Sequence, residues 1–165
     1  MVSSDQDFGR ALFGLVISAI VALILTVVQL PDWLFLFWPD WIAMVVIYWA
    51  LKKPEHIGPF AAFIIGTLME VLFVRKFGVL GLGLATLAFI ASSTSLQIRI
   101  MTVWQQTLLI GLFIGIFKLI TGWLYGLVSD LTITREYWYP ILASMLLWPF
   151  VFILLEELRR ALRIR

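Results

Sequence analysis

The sequence contains no cysteine, a single histidine and few charged residues. Of its 165 residues, 13% are charged, and His56 is the one histidine. Without cysteine there is no disulfide framework or thiol chemistry, and one histidine cannot build a typical metal site. There is also no Ser-His-Asp set and no glycine-rich phosphate loop. The sequence therefore predicts no catalytic residue, no metal site and no cofactor.

The chain is instead rich in apolar residues. Hydrophobic residues make up 62% of the sequence, and the mean hydropathy is +1.04. Such a chain has too few polar groups to cover a water-facing surface, so we predict an integral membrane protein. The net charge of +2 does not indicate a nucleic-acid partner, because the basic residues lie beside apolar segments rather than on one soluble face.

Six apolar segments approach the length of about 20 residues that a membrane-spanning helix requires. They predict an all-α membrane protein with one polytopic domain over residues 1–165, folded as a compact bundle of six helices. The first segment has no small-residue cleavage pattern and should stay attached. The second is short, so it either begins near Leu34 or is broken at Pro39. The predicted spans are approximately 11–30, 34–51, 57–74, 77–96, 103–128 and 137–155.

Basic residues in the connecting segments orient the six-helix arrangement. With the N-terminus inside, eight basic residues fall on the cytoplasmic side and three on the other side. The positive-inside rule then places both termini in the cytoplasm. Glu156 and Glu157, with the arginine-rich tail, should extend the last helix at the membrane surface. That tail either only fixes the orientation or also contacts anionic lipid.

Glu70 lies within the third predicted span. A charged side chain at the centre of a bilayer costs about 2.5–3.5 kcal/mol on insertion scales, so it usually faces the protein interior and has a partner. One interpretation is that Glu70 reaches toward Arg75 or Lys76 near the membrane surface.

A glycine stripe in the fifth predicted span offers another partner. At about 100° per residue, Gly111, Gly115, Gly122 and Gly126 share one helix face with Lys118. Small residues at this spacing let helices approach closely, and Lys118 and Glu70 fall at similar depth. We therefore hypothesise a Glu70–Lys118 ion pair across this interface. Two alternatives are a lysine that reaches the membrane surface without a partner, and a proton relay or substrate site of a transporter.

Seven short motifs are distributed along the chain. They are Trp38-Pro39-Asp40-Trp41, Val46-Ile47-Tyr48-Trp49-Ala50-Leu51, Pro54-Glu55-His56, Gly66-x3-Glu70, Phe77-Gly78, Trp104-Gln105-Gln106 and Leu147-Trp148-Pro149-Phe150. Together they resemble the rod shape-determining protein MreD family. The similarity covers nearly the whole chain and is most specific between about 38 and 83. One departure is Glu70, where the family commonly has aspartate.

The resemblance implies a multi-pass protein of the bacterial inner membrane that performs no catalysis. It implies MreC as the direct partner, with indirect links to MreB, RodA and its class B transpeptidase, and it leaves a homo-oligomer open. The implied fold is similar to the substrate-binding subunits of energy-coupling-factor transporters, so a vitamin-type transporter subunit is the alternative function. Contact with membrane lipid is expected in either case.

The residues predicted to line an interface or pocket come from three spans. They are Gly66 and Glu70 in the third, Gly78 in the fourth, and the glycine stripe with Lys118 in the fifth. Gly78, Gly81 and Gly83 are assigned to helix packing, because they lie in a membrane span rather than after a strand.

Overall fold

The computed structural model describes residues 2–28, 38–55, 57–74, 78–98, 100–128 and 134–162, with side chains from Gly9 onward in the first range. Every regular element in these ranges is helical, which confirms the all-α prediction. The α-helices are α1 (Val2–Val27), α2 (Trp41–Lys52), α3 (Pro59–Leu72), α4 (Val79–Ser93), α5 (Ser95–Ile98), α6 (Val103–Val128) and α7 (Tyr139–Ala161), with a 3-10 turn at Arg135–Trp138 before α7.

The helices differ in their ability to cross a bilayer. Among the described residues, three stretches are long and apolar enough, namely Gly9–Val27, Val103–Val128 and Arg135–Ala161. The other apolar helices, α2, α3 and α4, have 12, 14 and 15 residues. At 1.5 Å per residue these reach roughly 18–23 Å, less than a hydrocarbon core of about 30 Å. The structure thus supports three full-length spans and three shorter apolar helices, and the count of six complete spans stays a prediction.

The short helix α2 forms the centre of the bundle. All ten residues from Ile42 to Leu51 are buried, so α2 is enclosed on every side by protein rather than by lipid. Residues 38–40 before it are not helical, which fits a break at Pro39. Residues 34–37, the other suggested start of this span, lie outside the described residues.

Glycines allow three close helix contacts around this centre. A Cβ atom on Gly66 of α3 would lie 2.6 Å from the Cα atom of Gly81 in α4. A Cβ on Gly83 would lie 2.5 Å from the Thr121 methyl group of α6, and one on Gly14 would lie 2.7 Å from the Trp49 ring of α2. The assignment of Gly81 and Gly83 to helix packing is confirmed.

The bundle has two ends, and a charged cluster lies at one of them. We call the end where α2 begins and α3 ends the upper end, and the opposite one the lower end. At the lower end, Glu156 of α7 accepts a hydrogen bond from the Tyr48 hydroxyl at 2.9 Å. Its carboxylate also lies 3.3 Å from Lys52 and 2.6 Å from Arg159. This cluster ties α7 to α2, and α7 continues to Ala161, as predicted for the segment around Glu156 and Glu157.

Candidate functional site

Glu70 is fully buried, with 0% of its surface exposed, and it binds the beginning of α4. Its Oε2 atom accepts a hydrogen bond from the Gly78 N–H at 2.6 Å, and its Oε1 atom accepts one from the Leu80 N–H. The first N–H groups of a helix have no partner within that helix, and its N-terminus carries partial positive charge. A carboxylate from α3 therefore caps α4 and locks the two helices of this hairpin together.

Gly78 makes this geometry possible through its backbone conformation. Its φ angle is +92°, in the left-handed region that side chains disfavour. Among the described residues, nothing lies within 4 Å of where its Cβ would be. The assignment of Gly78 to helix packing is wrong: the glycine is required by the turn that presents its N–H to Glu70, not by a close neighbour.

The hypothesised Glu70–Lys118 ion pair is also wrong. Glu70 is satisfied by backbone N–H groups, whereas Lys118 lies with its Nζ atom 3.1 Å from Oδ2 of Asp40. The suggestion that Glu70 reaches Arg75 or Lys76 concerns residues outside the described part of the chain. Depth alone does not specify which side of a helix a charge faces.

Lys118 is a buried cation that contacts both a carboxylate and an aromatic ring. Only 11% of its side chain is exposed, so the side chain is enclosed by protein. Besides the Asp40 carboxylate, its ammonium group lies 4.6 Å from the centre of the Tyr137 ring. A cation above an aromatic face is attracted by the ring quadrupole. The pairing removes much of the cost of placing either charge within the bundle.

Hydrogen bonds from neighbouring elements hold the two charged residues in place. The Asp40 N–H donates to Oγ of Ser144 in α7 at 3.0 Å. The Tyr137 hydroxyl donates to the Lys118 carbonyl at 3.1 Å and lies 2.7 Å from Oγ1 of Thr121. The segment before α2, the middle of α6 and the turn before α7 are therefore joined at one point.

The Lys118–Asp40 pair borders a cavity of about 440 Å³ in the upper half of the bundle. Polar groups on its wall include Asp40, Lys118 and Tyr125, and apolar groups include Phe73 and Leu80. Pockets that hold small ligands have volumes of about 300–1,000 Å³ and combine apolar walls with a few polar groups. The cavity therefore has the size and the mixed lining of a ligand site.

The glycine stripe of α6 faces α7 rather than α3. A Cβ on Gly111 would clash with the Met145 side chain of α7, and one on Gly115 would lie 4.0 Å from Ile141. Gly122 is buried, but Gly126 is exposed and no described residue lies within 4 Å of its Cβ position. Close packing is thus supported at Gly111, and Gly126 contributes none.

Asp40 is the important residue that the sequence analysis did not assign to the site. The available signal was the length of the following apolar segment, because a helix of about 18 Å that starts after Asp40 is too short to cross a hydrocarbon core of about 30 Å. At least one end of so short a helix therefore lies within the bundle, and a charge at that end needs a partner.

The charged and polar side chains of the described residues mainly join helices to one another. In the ranges that the structure covers, no group of three or more His, Asp and Glu side chains is placed to hold a metal ion. The buried polar groups form a helix cap, an ion pair and inter-helix hydrogen bonds. The fold and site together define a polytopic helical membrane protein whose charged groups organise the bundle.

Comparison with known proteins identifies the family. The family model described as rod shape-determining protein MreD matches residues 8–158. The rod shape-determining protein MreD of Haemophilus influenzae is 29% identical over 148 residues, which cover 88% of this chain and 90% of that protein. No solved structure matches the chain. The chain belongs to the MreD family, and it is therefore a structural protein of rod-shape determination rather than an enzyme.

Proposed function

We propose that this chain is an inner-membrane scaffold of the bacterial cell-elongation machinery that binds MreC directly. Through MreC it helps to couple MreB filaments to peptidoglycan synthesis by RodA and its class B transpeptidase. The observation that carries the proposal is the family match over residues 8–158, which includes every helix of the bundle at least in large part. A scaffold must hold a fixed shape, and the capped α3–α4 hairpin and the Lys118–Asp40 pair supply one.

The outward face of α7 is the surface we assign to MreC. Leu142, Leu146, Phe150 and Ile153 are 63%, 83%, 77% and 61% exposed. Their spacing of three and four residues puts them on one helical stripe. Within a bilayer such a stripe contacts either lipid or the membrane helix of a partner, and helix association there depends on side-chain packing.

The lower end is proposed to face the cytoplasm, together with both termini. It carries Lys52 and Lys53 at the end of α2, and Arg159 and Arg160 at the end of α7. Positively charged residues concentrate in cytoplasmic segments. The cavity beside Lys118 then lies toward the periplasmic side, the side on which peptidoglycan is assembled.

A photo-crosslinking amino acid at Leu146 tests the proposed surface. We expect a crosslink to co-expressed MreC from Leu146 but not from Phe60 of α3, which is similarly exposed at 77%. Equal crosslinking at both positions, or none at Leu146 while MreC still co-purifies, would show that α7 is not the contact surface. Failure of MreC to co-purify at all would contradict the scaffold function itself.

The cavity of about 440 Å³ favours one alternative, a substrate-binding subunit of a vitamin-type transporter with the related fold. Purification separates the two functions, since fold alone does not define function. A scaffold should co-purify with MreC, whereas a transporter subunit should co-purify with partner ATPases and retain a vitamin-like molecule. Recovery of the ATPases and vitamin without MreC would replace the scaffold proposal.

A further inference from the structure

The upper cavity contains polar atoms whose hydrogen-bonding capacity is not used within the chain. The Tyr125 hydroxyl and the Trp41 indole N–H are buried and have no hydrogen-bond partner among the described residues. Oδ2 of Asp40 lies 3.1 Å from Lys118, and a carboxylate oxygen has a second lone pair with which it can accept another hydrogen bond. Buried polar groups without partners are uncommon in folded proteins and call for an explanation such as a bound molecule.

The charged residues of the cavity indicate the net charge of a ligand that fits it. The enclosed part of the site has one cation, Lys118, next to one anion, Asp40. A second carboxylate on the cavity wall, Glu136, is exposed to solvent. A ligand with a single net charge would leave an uncompensated charge in a poorly solvated site, which is unfavourable. A zwitterion adds no net charge, and it replaces one internal ion pair by two, with its ammonium on Asp40 and its anionic group on Lys118.

The apolar residues of the cavity wall indicate that the same ligand also has an apolar portion. Phe73, Leu80, Leu84 and Phe117 line the cavity from three different helices or their ends. A headgroup with an attached hydrocarbon chain matches a site in which charged groups and apolar side chains share one cavity.

We propose that the cavity binds the zwitterionic headgroup of a phospholipid that carries a primary ammonium and a phosphate. The ammonium donates hydrogen bonds to Asp40, the phosphate accepts them from Lys118 and the Tyr125 hydroxyl, and the lipid chain lies along the apolar wall. A quaternary ammonium group has no N–H and cannot make the Asp40 hydrogen bond. An anionic headgroup without ammonium leaves Asp40 uncompensated. This site is independent of the proposed binding of MreC by α7.

Native mass spectrometry of the full-length protein tests the assignment. The protein is released from micelles that contain equal amounts of dioleoyl phosphatidylethanolamine, phosphatidylcholine and phosphatidylglycerol. We expect at least about a fivefold preference for phosphatidylethanolamine, given that a hydrogen bond to a charged group changes affinity by about tenfold or more. Equal retention of the three lipids, or retention of none, would overturn the proposal.

Two variants locate the bound lipid. Lys118→Met should lower phosphatidylethanolamine occupancy at least about tenfold, because a charge-assisted contact is lost. The matched control is Lys52→Met, which removes a lysine that lies 3.3 Å from an acid at the other end of the bundle and should leave the occupancy unchanged. Equal losses in both variants would place the lipid outside the cavity.

Tyr125→Phe keeps the test valid if loss of the lysine disturbs folding. The hydroxyl has no partner among the described residues, so its removal should not lower the thermal midpoint, yet it should weaken binding about three- to tenfold. Unchanged binding by this variant would contradict the proposed headgroup position.

A competition experiment distinguishes the lipid from a soluble zwitterion. Free phosphoethanolamine has the same headgroup charges without the hydrocarbon chains. It should displace the lipid only at concentrations at least about a hundredfold higher, since each buried methylene group contributes about 0.8 kcal/mol. Displacement at equal concentration would show that the apolar wall is not occupied and would overturn the lipid assignment.

Discussion

Replacement of Glu70 by glutamine tests how α4 is held in the bundle. The carboxylate is 0% exposed and accepts hydrogen bonds from the N–H groups of Gly78 and Leu80. Glutamine has nearly the same shape but only one acceptor oxygen. Its NH₂ group must face one of the two N–H donors, so that donor stays buried without a partner.

The expected loss follows from the contacts removed. One hydrogen bond to a charged group contributes about 1.5–3 kcal/mol, and a negative charge at a helix N-terminus adds about 0.3–1 kcal/mol. An amide is less costly to bury than a carboxylate, which offsets part of this loss. We therefore expect Glu70→Gln to lower the free energy of unfolding by about 2 kcal/mol.

The assay is unfolding of the purified protein in mixed micelles by increasing fractions of sodium dodecyl sulfate. Glu157→Gln is the matched control, because 71% of that side chain is exposed and its nearest charged partner is 3.8 Å away. It should change stability by less than about 0.5 kcal/mol. Glu70→Asp keeps the charge but is shorter by about 1.5 Å, and should give an intermediate loss. If Glu70→Gln were as stable as the Glu157→Gln control, the capping role would be refuted.

Three further predictions use the same unfolding measurement. Gly66→Ala should destabilise by about 1–3 kcal/mol through overpacking, since its Cβ would lie 2.6 Å from the Cα atom of Gly81. Gly126→Ala should not, because no described residue lies within 4 Å of that Cβ position. Equal effects of the two changes would contradict the close helix contact. Lys118→Met should cost about 2–3 kcal/mol, because it leaves the partly buried Asp40 carboxylate, 25% exposed, unpaired. The added change Asp40→Asn should restore part of the loss, and simple additivity of the two changes would exclude the pair. Glu156→Gln should cost about 2 kcal/mol, because it weakens two contacts that join α2 to α7, with Tyr48 and Lys52, and one contact with Arg159 within α7. A neutral effect would show that this cluster is not needed.

Helix positions were predictable where the apolar pattern was long and had clear ends. The fifth predicted span, 103–128, has the bounds of α6, because its apolar residues run without a proline or a charged cluster. The second span was harder, since the usual length of a membrane helix suggested a start near Leu34. In the described residues the helix begins only at Trp41, and a fully buried helix surrounded by others need not match the bilayer thickness.

The candidate site was predictable only in part. Glu70 and Lys118 were identified because charges are rare and costly within apolar segments. Their partners were not, since the partner of Glu70 is a pair of backbone N–H groups, which no residue type reveals. Asp40, the partner of Lys118, is separated from it by 78 positions, and this contact depends on how α2 and α6 pack.

The sequence by itself determined the class of the protein, because an apolar composition with few charges leaves only the membrane as a suitable solvent. It also determined that Glu70 and Lys118 need partners, and the motifs that identify the family. Only the tertiary structure decided which partners these are and where the cavity lies. The physical reason is that depth along a helix follows from counting residues, whereas the direction in which a buried charge points depends on helix rotation and crossing, which are set by contacts such as that between Gly66 and Gly81.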